Sequence, residues 1–233
     1  MKIFLPVLLV IVYTIGLLFS GGLSKNIGLT ITDNHFINRQ LNYQILLLII
    51  TAISLVTTFI LNRENFLIYF SIGNISKAGN ELKIFGIKQG DSWIKTGLSL
   101  SVVITLITSL FMFLQLKQFE INWSLLKTGI LWIFLFSLTN SFGEEMIYRI
   151  GIIAPLKGLM EPTKIFLISA VIFGFAHING MPNGIIGIGL ASILGFVLAK
   201  SVYEIEGFFW AWVIHFLQDV VIFSSLYLMN KNI

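Results

Sequence analysis

Long apolar stretches alternate with short polar connections along the whole chain. They run from Ile3 to about Leu23, then over 41–61, 97–116, 124–142, 163–178, 184–199 and 207–228. A helix needs ~20 mostly apolar residues to cross a bilayer core, so these stretches predict membrane spans. The first follows a lone Lys2 and resembles a signal peptide. Its core is long, however, and "FSGGLSKN" offers no small-x-small cleavage site, so it is read as a retained span. The longest polar region, 62–97, holds only short apolar patches such as "FLIYF" and "KIFGI", which suit a helix or turn lying at the interface. Residues 147–160, "IYRIGIIAPLKGLM", are apolar but broken by Pro155, and read as a continuation or a short re-entrant helix. The expected fold is all-α, a polytopic membrane bundle of seven to eight helices. Residues 1–120 would give N-terminal spans and an interfacial loop, and 121–233 a core.

Composition agrees with this pattern. The chain is 56% hydrophobic and 11% charged, against roughly 25% charged in soluble domains. The net charge of +4 does not point to nucleic acid, because the basic residues are scattered rather than gathered on one face. They instead orient the spans. With the N-terminus inside, the inner side carries Lys2, Arg63, Lys77, Lys83, Lys88, Lys95, Arg149, Lys157, Lys164 and Lys200. The outer side carries Lys25, Arg39, Lys117, Lys127 and Lys231. The expected setting is thus a plasma membrane, bacterial by preference, with a cytoplasmic N-terminus. The absence of cysteine excludes disulfides, thiolate metal sites and cysteine nucleophiles. No repeat relates the two halves, which weighs against an inverted-repeat transporter. Trp210 and Trp212 read as an interfacial belt, and Gly184, Gly187, Gly189 and Gly195 as packing positions.

Eight of the eleven acidic residues lie in connections or near helix ends; the exceptions are Glu144, Glu145 and Asp219. His177 and His215 also lie at or within apolar runs. A charge at the bilayer centre costs roughly 2.5–3.5 kcal/mol on an insertion scale, so such groups face a bundle interior or a wet cavity. Glu145 and Arg149 are spaced i, i+4 and share a helix face, where they can pair. Glu144 points about 100° away, free for base chemistry. Phe173 and His177 share the same spacing, with "MPNG" breaking the chain just beyond. So do His215 and Asp219, where the carboxylate could orient the imidazole. Each pair alone is more simply structural, and it is the coincidence of three polar clusters on apolar segments that points to a site.

Glu144-Glu145-x-x-x-Arg149, Phe173-x-x-x-His177 and His215-x-x-x-Asp219 together resemble the CPBP family of intramembrane proteases, also called the CAAX protease or Abi family. The resemblance covers about 140–225. It implies a multi-helix membrane fold with an internal site that hydrolyses a peptide bond of a membrane-associated peptide or protein. In bacterial relatives it implies peptide processing or bacteriocin self-immunity. Carried over by motif, Glu144 with His177 activates water, Glu145 and Arg149 hold the motif's geometry, and His215 with Asp219 stabilises the oxyanion or positions substrate. The family carries Asn or Asp at the last position, and an ionised Asp cannot donate to an oxyanion, so orientation of His215 is the expected role of Asp219. Two histidines and a glutamate (Glu144, His177, His215) are also an acceptable zinc set, but without H-E-x-x-H a metalloprotease cannot be read from spacing. Two rival readings are a non-catalytic immunity or scaffold protein, and a proton-coupled transporter.

Overall fold

The computed structural model describes residues 2–229, which form helices joined by short connections. Helix α1 is Phe4–Leu23 and α2 is His35–Leu61, the latter capped by Asn34, whose side chain accepts from the Ile37 amide at 3.0 Å. Asn62 ends α2 and caps α3, Arg63–Tyr69. Ser92 caps α4, Trp93–Leu116, and α5 follows at Leu126–Glu145. A π-helical turn over Met146–Ile150 then leads into α6, Gly151–Leu156. Pro155 lies in the last turn of α6 and removes one backbone donor there, just before the helix ends. Helix α7, Pro162–Ala176, starts on a proline at its first position. Helices α8, Gly184–Ile205, and α9, Phe209–Met229, complete the bundle. Among the described residues there are two isolated β-bridges and no named strand.

Six helical runs are long and apolar enough to cross a membrane: Phe4–Asn26, His35–Leu61, Trp93–Leu116, Trp123–Leu156, Gly184–Ile205 and Phe209–Met229. The all-α membrane bundle is therefore as expected, with two refinements. The apolar run at 163–178 forms α7, only 15 residues long, because Pro162 fixes its start and the chain breaks after His177. Residues 147–156 continue α5 through the π turn rather than forming a re-entrant helix.

Helix α1 runs antiparallel to α2, with Tyr13 bonded to Thr57 and Gly16 beside Ile50. Helices α7 and α8 pack closely at Gly174, where an added Cβ would lie 2.0 Å from Ser192 Oγ and 2.7 Å from the Ile188 carbonyl. Of the glycines read as packing positions, Gly187 and Gly195 meet neighbours closely, Gly189 meets none, and Gly184 serves a left-handed turn at φ 69°. The apolar stretches of α8 and α9 are each 44% buried against 22% for α4, so α8 and α9 lie deeper in the bundle than α4.

One end of the bundle gathers 62–92, the end of α6 and the α8–α9 turn. The Asn74 amide donates to the Ile205 carbonyl, the Phe208 amide to Ser71, and Lys157 Nζ to Tyr69 Oη at 2.8 Å. Residues 78–92 make a hairpin there, bridged at Ala78–Ser92 and Leu82–Ile87. Glu204 anchors it, accepting from Trp93 Nε1 at 2.8 Å and Asn80 Nδ2 at 3.1 Å while paired with buried Lys200. Trp210 is not part of an exposed belt. It is buried, packs on Gly97 and donates to the Ile75 carbonyl at 2.9 Å.

Candidate active site

The π turn follows directly on Glu144 and Glu145, the last two residues of α5. Such turns add a residue to the helical repeat and recur at functional sites. Gly143 lets α2 come close, since an added Cβ would lie 2.9 Å from both Leu47 and Thr51. The motif is thus pressed between α2, α7 and α9.

Glu145 and Arg149, both wholly buried, pair at 3.1 Å between Oε2 and Nε. The Arg149 guanidinium lies 4.2 Å from the Phe173 ring centroid, and its Nη1 reaches Ser169 Oγ at 3.4 Å. The other carboxylate oxygen of Glu145 accepts from His215 Nδ1 at 2.8 Å. His177 Nδ1 donates to the Phe173 carbonyl at 2.9 Å. Each imidazole therefore has one nitrogen committed to an acceptor, which leaves Nε2 as the working atom. Both Nε2 atoms face Glu144 Oε2, at 3.8 Å from His177 and 3.7 Å from His215. These separations exceed a direct hydrogen bond and leave room for a bridging molecule. Among the described residues Glu144 Oε2 has no hydrogen-bond partner. Phe173 forms the wall behind both rings, with centroids 4.4 Å from His177 and 5.6 Å from His215.

The six candidates thus come together, with one change of partner. Asp219 Oδ1 is 3.8 Å from His215 Nε2, beyond direct hydrogen-bond reach, and the hydrogen bond that holds the ring is the one to Glu145. Glu145, the last residue of α5, holds Nδ1 at 2.8 Å. Asp219 instead accepts from Asn140 Nδ2 at 3.1 Å, and the same nitrogen donates to Glu144 Oε1 at 3.1 Å.

His177, His215 and Asp219 form part of the wall of a cavity of about 490 Å³ between α4, the α7–α8 corner and α9. Most of its lining is apolar, including Leu100, Ile104, Phe111, Leu190 and Leu194, with Ile84 and Phe85 of the hairpin contributing as well. Gln218 ties α4 to α9 at its polar side, accepting from Thr108 at 2.6 Å and donating to Thr105 at 3.1 Å. Two imidazoles and a carboxylate are donors that zinc takes. Among the described residues, however, no group of three or more His, Cys, Asp or Glu is spaced to hold a metal ion.

Residues 124–221 match the family model described as Rce1-like, type II CAAX prenyl endopeptidase. Over this segment the chain is similar to the CAAX protease family. The resemblance read from the three motifs is borne out by that match. The Rce1-like segment contains all six candidates, whereas α1 to α4 lie outside it. No curated protein and no solved structure matches the chain.

Sequence reasoning missed Asn140, although it stands four residues before Glu144 and so shares its helix face. It also missed Gln44, one polar residue in the run "LNYQILLL", whose Nε2 reaches Asn140 Oδ1 at 3.5 Å. Glu204 was counted with the connections because it lies one residue from the end of α8.

Proposed function

We propose that this protein is an intramembrane endopeptidase that cleaves a membrane-associated peptide or protein by water activated at Glu144. The observation that carries the reading is the convergence of Glu144 Oε2 with the Nε2 atoms of His177 and His215, beside an apolar cavity. A water held between these atoms loses a proton to Glu144 as its oxygen attacks the scissile carbonyl carbon. His215, held at Nδ1 by Glu145, donates through protonated Nε2 to the developing oxyanion. Glu144 then returns its proton to the leaving nitrogen as the C–N bond breaks, giving an acid and an amine. His177 accepts from the water and fixes its position. The apolar lining supports a substrate that carries a lipid-like or apolar segment into the cavity. Processing of a peptide, or self-immunity against one, is the biological role this chemistry serves.

The test is comparative peptidomics of membranes from cells with the protein, without it, and with Glu144→Ala. A fragment that depends on the protein and vanishes in the variant supports the reading. An unchanged fragment pattern combined with a phenotype that survives Glu144→Ala would establish the scaffold reading instead.

A further inference from the structure

We infer that Asn140 is a positioning residue for the proposed peptidase, its one amide nitrogen holding the carboxylates of Glu144 and Asp219 in fixed relation. The inference rests on the proposed function for its kinetic consequences and on geometry alone for its structural ones. Asn140 and both acids are buried, with Asn140 on α5 one turn before Glu144 and Asp219 facing it from α9. An amide offers two N–H donors on one atom, and here each has a carboxylate oxygen 3.1 Å away.

The amide's orientation is determined by its neighbours. Two carboxylates face Asn140 Nδ2, so its Oδ1 points the other way, where Gln44 Nε2 of α2 lies at 3.5 Å, and Gln44 Oε1 in turn lies 2.8 Å from Thr139 Oγ1. A flipped Asn140 would set its carbonyl oxygen against two carboxylates and its NH₂ against the NH₂ of Gln44. The two carboxylates therefore fix which way round the Asn140 amide lies. Its effect is to engage Oε1 of Glu144 and leave Oε2 as the atom that faces the two imidazoles. Because α2 lies outside the Rce1-like segment, part of the site's support comes from the chain's N-terminal half.

The test is a double-mutant cycle on the full-length protein in detergent or nanodiscs. Asn140→Leu removes both donors at nearly constant size. It should lower kcat by roughly 10–100-fold, the usual loss from an outer partner of a working group, with KM within about twofold. Adding Asp219→Asn supplies a new amide opposite Glu144 and removes one charge, so the double variant should recover most of the lost kcat. A residue that only filled space would show no such rescue. Thermal stability gives the second readout and does not depend on any cleavage. Asn140→Leu should lower the midpoint strongly in the parent and much less in an Asp219→Asn background. Additive losses in the stability cycle would overturn the inference even if the protein cleaves nothing. So would wild-type kcat in Asn140→Leu when Glu144→Ala is inactive. If Asn140→Leu cannot be recovered folded, Asn140→Ser in the same cycle reads the same coupling.

Discussion

At the scale of single residues, adjacent Glu144 and Glu145 are given different tasks by the helix they share. Glu145 sits between Arg149 and the ring of His215, and among the described residues it is the acid in direct ion-pair contact with that guanidinium. Removing one partner of a buried ion pair typically costs roughly 3–5 kcal/mol, because the other charge stays in a dry site. Glu145→Gln should therefore lower the thermal midpoint clearly, while Glu144→Gln leaves it near that of the parent and abolishes cleavage. Equal midpoints for the two variants would refute this division. The Glu145–Arg149 pair was legible in the sequence because i, i+4 spacing on one helix fixes who meets whom. The partner of His215 was not, since i, i+4 placement of Asp219 says nothing about what arrives from a facing helix. Asp219→Asn alone should therefore cost little, within about threefold in kcat, since the substitution keeps an acceptor for Asn140 and His215 keeps its Glu145 contact. A loss of a hundredfold would restore Asp219 to the role of orienting His215.

At the scale of elements, hydropathy found the apolar runs because each must cover its backbone from lipid with some twenty apolar side chains. It could not find how tightly neighbours pack. His177 owes its place to the contact of α7 with α8, and that contact depends on Gly174. Gly174→Val would force the helices apart against a backbone carbonyl, so it should abolish activity and lower stability, whereas Gly189→Ala, in open space, should do neither. Wild-type activity in Gly174→Val would show that the close approach is dispensable. The hairpin teaches the same lesson about position. Glu204 looked like a helix-end acid, yet it is buried and ties α8 to Asn80 and Trp93. Glu204→Ala should strand Lys200 and loosen 78–92, seen as faster proteolytic nicking near Lys83. The exposed pair Lys77–Glu206 should be worth little, and Lys77→Ala should leave the nicking rate unchanged.

At the scale of the whole molecule, the two ends of the bundle differ in charge. The contacts of α1 with α2, and of 62–92 with α6 and the α8–α9 turn, place Lys2, Arg63, Lys77, Lys83, Lys88, Lys95, Lys157 and Lys164 toward one end. Lys25, Arg39, Lys117 and Lys127 belong to the other, and Lys231 lies outside the described residues. Arg149 and Lys200 are held in buried ion pairs and so do not bear on the comparison. We propose that the excess of basic residues at the first end turns it toward the cytoplasm. The hairpin belongs to that end, and its Ile84 and Phe85 line the cavity, so in the proposed orientation a substrate would approach His177 and His215 from the cytoplasmic side or from the inner leaflet. The chain contains no cysteine, which makes the orientation directly measurable by single introduced thiols. In intact cells a membrane-impermeant maleimide should label Lys25→Cys and spare Lys83→Cys, which reacts only after the membrane is opened. The reverse pattern would invert the molecule, put the cavity mouth outside, and make an extracytoplasmic peptide the substrate.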